Sequence, residues 1–275
     1  MAGKLFLVGT PIGNLSDLSP RAVETLGNVD FIAAEDTRVT LKLLNHFGIK
    51  KSLVSYYEHN KKESGEKIIS RILAGETCAL VSDAGMPAIS DPGEALVDEC
   101  RRLSIETVVI PGPSAVVSAV ALSGLPSGRF TFEGFLSTAK KARFEHLNAL
   151  KNERRAMVFY EAPHKLIATL RDMLSVFGDR RISVSRELTK LHEETLRFTI
   201  STALEHFTLN APRGEFVLVI EGAAEDIKPE ITLSEAAEMA AELIKGGMSQ
   251  KDAVKRCAEE TGFSKNALYS AVLKM

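Results

Sequence analysis

Acidic residues, serines and turn-forming glycines and prolines gather in four short segments of this sequence: VGTPIGN at 8–14, AEDTR at 34–38, SDAGMPAISDPG at 82–93 and PGPSAV at 111–116. Glycine and proline let backbone amides and carbonyls come close to a ligand, and Ser82, Ser90 and Ser114 add small hydrogen-bonding groups. Such a mainly backbone site suits a ligand with an adenine edge, a ribose and a zwitterionic tail, but no phosphate. The usual phosphate loops are absent: VGTPIGN is not GxGxxG, and no GxxxxGK[ST] occurs. A nicotinamide enzyme and a P-loop nucleotidase are therefore disfavoured.

Each segment follows a short apolar run. KLFLVG, DFIAAE, KSLVSY, TCALVS and ETVVIPG read as strands, and helical patterns lie between them. Strands apolar along their whole length imply a mostly parallel sheet covered on both faces. Ser19 before Pro20, and Thr37, read as helix starts, whereas Gly48 and Gly75 read as helix ends. The four polar segments then share the carboxyl edge of one sheet, where open α/β sheets bind ligands.

Small residues and proline cluster at SGLPSGR, 123–129, which marks a first boundary. Beyond it the pattern predicts a strand at 130–133, a charged helix near 138–151, the strand RAMVFYEA, the helix HKLIATLRDMLSVF and the strand RISVSREL. TLRFTIST and GEFVLVIEG follow as antiparallel edge strands of a mixed sheet. After EDIKPEITL only helical patterns remain. The expected division is an α/β domain at 1–123, a second α/β domain at 124–228 and a small all-helical domain at 229–275.

Composition limits the partners. With 34 basic and 36 acidic residues the formal charge is −2, so a polyanion partner has to be met by local charge. The run KKARFEHLNALKNERR, 140–155, supplies six Lys or Arg against two Glu; it reads equally as a solvated helix face. Cys78, Cys100 and Cys257 form no CxxC pair, the His residues show no ligand spacing, and no apolar run is long enough to span a membrane. The reading is a cytoplasmic protein with no metal site and no membrane association.

Taken in order, VGTPIGN, AEDTR, SDAGMPAISDPG, IPGPSA, FEGFL, FYEAPHK, SREL and GEFVLVIEG resemble the tetrapyrrole methylase superfamily, and within it the branch that methylates small-subunit ribosomal RNA. Met86 stands where that pattern has Thr. The resemblance implies two α/β domains forming a cleft, an added helical domain, S-adenosyl-L-methionine as cofactor, and a homodimer. It also implies a substrate, 16S rRNA within the 30S subunit, methylated on the ribose 2′-oxygen of a decoding-region cytidine. Carried over by motif, the donor site comprises Pro11, Asp83, Gly85, Met86, Pro87, Ile89, Ser90, Ser114, Ala115, Tyr160, Glu161, Phe216 and Val217.

A ribose hydroxyl is a weak nucleophile, so the implied reaction needs a base. Asp36 is the first candidate and Glu35 the second, although either can simply cap the helix at Thr37. Arg38, His164, Arg186, Glu187, Lys140, Lys141 and Arg143 are the candidate RNA contacts, with Arg186 and Glu187 equally readable as an ordinary ion pair. Asp83 is expected near the donor and Asp91 at the start of the next helix. In the tail, Ala258, Gly262, Leu268 and Val272 have helix-turn-helix spacing, and Lys265, Asn266, Tyr269, Ser270 and Lys274 lie on its second helix; with six acidic and six basic residues at 231–275 it reads equally as a neutral packing bundle. Two other functions stay open: a same-fold enzyme acting on a small molecule such as a tetrapyrrole, and a non-enzymatic nucleic-acid-binding regulator.

Overall fold

The alternation of apolar strands and amphipathic helices builds two five-stranded sheets in the computed structural model, which describes residues 3–224 and 231–274. The first half runs β1 (Lys4–Val8), α1 (Pro20–Asn28), β2 (Phe31–Ala34), α2 (Thr37–His46), β3 (Ser52–Ser55), α3 (Lys61–Leu73), β4 (Cys78–Val81), α4 (Gly93–Arg102), β5 (Glu106–Ile110) and α5 (Ala115–Ser123). Its strands are all parallel, in the order β3-β2-β4-β1-β5. Alternate side chains sort to opposite faces. Phe31, Ala33, Cys78 and Leu80 pack with Ile68 and Ile72 of α3 and Leu96 of α4, whereas Ile32, Ala34, Ala79 and Val81 pack with Leu26 of α1 and Leu44 of α2. A sheet covered twice explains why β2 and β4 are apolar at every position.

The second half runs β6 (Phe130–Phe135), α6 (Lys140–Ala149), β7 (Ala156–Glu161), α7 (Leu166–Phe177), β8 (Arg181–Arg186), β9 (Glu194–Thr199), α8 (Ile200–Leu209) and β10 (Phe216–Ile220). The order is β6-β7-β10-β8-β9, with β6 parallel to β7 and the remaining pairs antiparallel. Two expectations are corrected. A helix, α8, separates the last two strands, started by a capping box in which Thr199 and Thr202 each bond the other's backbone. And β10 is the central strand rather than an edge, as its five fully buried residues require.

One helix serves both halves. Met157, Phe159, Leu218 and Ile220 face α6, α7 and α8 on one side of the second sheet, but its other side, Val158, Val217 and Val219, is covered by Val116, Ala119 and Val120 of α5. That shared apolar layer makes residues 1–223 one compact unit.

Residues 224–275 form a separate unit, in which α9 (Leu233–Lys245), α10 (Gln250–Thr261) and α11 (Lys265–Val272) enclose Ala236, Ala240, Val254, Cys257 and Leu268. Gly262, with a left-handed φ of 78°, ends α10, and Ser264 caps α11. The expected boundary at 228–229 lies outside the described residues. Cys78, Cys100 and Cys257 are buried free thiols.

Candidate functional site

Because β2, β4, β1 and β5 are consecutive in the sheet, the four polar segments that follow them are spatial neighbours. Hydrogen bonds lock them together. Thr10 and Gly85 exchange backbone bonds of 2.9 and 3.1 Å, and the Thr10 hydroxyl donates to the Ser82 carbonyl at 3.1 Å. Gly9 and Gly112 approach so closely that a Cβ on Gly9 would stand 2.7 Å from the Gly112 Cα. At the far end of the long loop, Asp91 Oδ1 accepts from the amides of Ala88 (2.9 Å) and Gly93 (2.7 Å). Tyr56 donates to the Pro92 carbonyl at 3.1 Å; burial pushes its phenol up to about 12, so the donor proton stays in place near neutrality.

Backbone strain marks the same region. Ala88 (φ 65°) and Ser90 (φ 64°) on this loop, and Glu187 (φ 51°) and Thr189 (φ 65°) after β8, occupy the left-handed region that non-glycine residues avoid. Each such residue costs ~1–3 kcal/mol and persists only where its surroundings enforce it, commonly at ligand sites.

Between these loops and the second sheet lies a cavity of about 340 Å³, within the ~300–1,000 Å³ usual for small-molecule sites. From the first half it is lined by Glu35, Asp83, Gly85, Met86, Ile89 and Ser90, and by Ser114 and Ala115 at the start of α5. Tyr160, Glu161, Glu187, Phe216 and Val217 line it from the second. Sequence reading anticipated all of these. Pro11 and Pro87 are not in the lining; their neighbours Ile12 and Met86 are. Phe135, Ser185, Leu188, Lys190 and Glu215 also line it and were not anticipated. They sit in or beside the FEGFL, SREL and GEFVLV segments, but which residue of a strand end faces the cavity is fixed by register, which sequence does not show.

The carboxylates divide by environment. Burial, reinforced by the negative charges of Asp83, Asp91 and Asp36, raises the proton affinity of Glu35 above the ordinary glutamate value. Asp36 goes the other way. It caps α2 by accepting from the Arg38 amide at 2.8 Å and pairs with Arg38 Nη2 at 2.6 Å, and hydrogen bonds from Arg38 hold its carboxyl at about 2. So acidic a group is a poor proton acceptor, and it lies outside the cavity lining. Asp83 both lines the cavity and accepts from the Asp36 amide at 2.9 Å. The buried carboxylate of Glu161 is taken by Thr169 Oγ1 (2.5 Å) and the Ala162 amide (2.8 Å), so it shapes the strand end.

Of the predicted RNA contacts, only Glu187 reaches the cavity, where it pairs with Lys190 at 3.0 Å. Arg186 pairs with Glu194 at 2.7 Å rather than with Glu187. Arg143 is part of the fold: its guanidinium lies 2.7 Å from Asp172, both side chains largely buried, and donates to the carbonyls of Ser137 and Thr138. Lys140 lies over the Phe144 ring, and Lys141 is 3.9 Å from Glu145. Arg38 and His164 are exposed, outside the cavity. Among the described residues, no cluster of His, Cys, Asp and Glu is placed to hold a metal ion, and no helix is long and apolar enough to cross a membrane.

Residues 4–204 match the family of tetrapyrrole (corrin/porphyrin) methylases. The chain is 46% identical to ribosomal RNA small subunit methyltransferase I of Synechocystis over 99% of its own length and 98% of that protein's. To the protein of the same name from Thermotoga maritima it is 51% identical, over 80% of this chain and 99% of that one. The chain belongs to the ribosomal RNA small subunit methyltransferase I family. Among solved structures, uroporphyrin-III C-methyl transferase from Thermus thermophilus, complexed with S-adenyl homocysteine, shares the fold at a TM-score of 0.56 and 15% identity, over 79% of this chain and 97% of that one. For a member of the ribosomal RNA small subunit methyltransferase I family, the expected α/β sheets around a cleft and a helical C-terminal part are what the structure contains.

Proposed function

We propose that this chain transfers the methyl group of S-adenosyl-L-methionine to the ribose 2′-oxygen of a decoding-region cytidine in 16S rRNA. Membership of the ribosomal RNA small subunit methyltransferase I family supports the RNA substrate. The observation that carries the choice of oxygen is Glu35: a carboxyl of raised proton affinity lining a cavity at the carboxyl edge of the sheet. A ribose hydroxyl has to lose a proton to a neighbouring group, whereas a ring nitrogen of a base has a lone pair ready to accept a methyl; an exocyclic amine also sheds a proton, and alkaline hydrolysis separates it from the ribose.

The residues present fit the donor. Six acidic residues, Glu35, Asp83, Asp91, Glu161, Glu187 and Glu215, line the cavity against one basic residue, Lys190. That balance favours a ligand carrying sulfonium and ammonium charges and disfavours phosphate. Asp83, Ser90 and the backbone around Gly85 and Met86 would hold one side of it. Tyr160, Phe216 and Val217 would hold the other, and the first amides of α5 at Ala115 suit its carboxylate. When bound, S-adenosyl-L-methionine supplies an electrophilic methyl group on sulfur.

The protein's part is positioning and proton transfer. The acidic lining leaves the RNA phosphates outside and admits the ribose alone. The Glu35 carboxylate accepts the 2′-hydroxyl proton as the new carbon–oxygen bond forms, and Asp83 and Asp91 raise its proton affinity for that role. A base so placed contributes ~10²–10⁴-fold.

The test uses donor labelled in its methyl group with 30S subunits, bare 16S rRNA, or small-molecule pools. The expected result is label in RNA that survives alkaline hydrolysis as a dinucleotide, since a 2′-O-methyl group blocks strand cleavage at that position. Label recovered on a base, or in a tetrapyrrole pool, overturns the proposal. The reading carries a homodimer with it, checked by sedimentation equilibrium.

A further inference from the structure

The rim of the cavity carries two large apolar side chains that folding leaves in water. Phe135, at the end of β6, is 56% exposed, and Ile89, on the strained loop after β4, is 54% exposed, yet both line the cavity. Their chain neighbours nearly touch: a Cβ on Gly134 would stand 3.3 Å from Ser90 Oγ. The two side chains therefore stand on adjoining segments of one cavity rim.

The position of Phe135 is the product of a bulge. In a regular strand, residues three apart point to opposite faces, so Phe132 and Phe135 should diverge. The pairing of β6 with β7 shifts register between Phe132 and Gly134, and both rings end up against Tyr160, with centroids 5.0 and 5.4 Å from it. Bulges commonly re-aim a side chain beside a functional site. Here the result is a ring backed by Tyr160, its outer side open to solvent at the mouth of the acidic cavity.

We infer that Phe135 is a stacking platform for the base of the target nucleotide, extruded from its RNA stack so that its ribose can enter the cavity. This rests on the proposed function. Such a nucleotide loses its neighbours in the stack, and enzymes acting on RNA replace them with aromatic faces. The donor is assigned other groups, Asp83, Ser90, Tyr160, Phe216 and Val217, and the Phe135 ring is not among them.

The experiment compares Phe135→Ala, Phe135→Leu and Phe135→Trp in the full chain, reading kcat/KM with 30S subunits, calorimetric affinity for S-adenosylhomocysteine, and melting temperature. Base–aromatic stacking predicts that Phe135→Ala loses about 5- to 150-fold in kcat/KM, equivalent to ~1–3 kcal/mol. Phe135→Trp should retain activity and Phe135→Leu should not, with ligand affinity unchanged within about twofold. Full activity in Phe135→Ala overturns the inference. Equal activity in Phe135→Leu does so too, since any apolar filler then suffices. A parallel loss of S-adenosylhomocysteine affinity assigns the ring to the donor's adenine and also overturns it. If the parent chain labels no 30S RNA, the proposed function falls and takes this inference with it; if the parent labels RNA and Phe135→Ala does so equally well, only the inference falls.

Discussion

Asp83 Oδ1 accepts a hydrogen bond of 2.9 Å from the backbone amide of Asp36. The bond ties the loop after β4 to the loop after β2 and holds a negative charge beside Glu35. After burial, that charge is the largest influence raising the Glu35 proton affinity.

The pH dependence follows in sign. A base works only when deprotonated, so kcat/KM should fall as pH drops through the raised Glu35 value. Asp83→Asn keeps an oxygen acceptor for the Asp36 amide but removes the charge. Its acid limb should move to lower pH in a rate profile with 30S subunits. An unmoved limb means that Glu35 is not the titrating group.

Glu35 and Asp36 can be separated directly. Asn caps a helix as well as Asp, so Asp36→Asn should leave α2 formed and turnover within about threefold of the parent. Glu35→Gln should lower turnover by ~10²–10⁴-fold while S-adenosylhomocysteine still binds. The reverse pattern in single-turnover assays would restore Asp36 as the base.

Gly9 tests the backbone construction of the site. An Ala there meets the Gly112 Cα and the Met86 sulfur, each at 2.7 Å, and overpacking of this kind costs ~1–3 kcal/mol. Gly9→Ala should melt several degrees lower and bind S-adenosylhomocysteine more weakly in calorimetry. Parental values in both would show that the loops after β1 and β5 have room to part.

Every residue lining the cavity lies within 1–223, one compact unit with its own core. A chain ending at 223 should therefore fold cooperatively and bind S-adenosylhomocysteine within about twofold of the full chain. Loss of that affinity with the fold intact, by circular dichroism and calorimetry, would give the helical unit a part in the donor site.

Much of this molecule is written in local pattern. Continuous apolar runs, the Ser19–Pro20 start of α1 and the glycine- and proline-rich strand ends are properties of neighbouring residues, and they determine the α/β class and the segments that form the cavity. Strand order is not local. That β1 lies between β4 and β5, that α5 covers the second sheet and that β10 sits at its centre are decided by which apolar faces find each other across the chain. The same distinction separates Glu35 from Asp36. They are adjacent carboxylates, and sequence alone puts Asp36 first. Only the tertiary structure buries one beside Asp83, 48 residues away in sequence, and turns the other outward to its own helix and Arg38, because proton affinity is set by burial and neighbouring charge rather than by residue type.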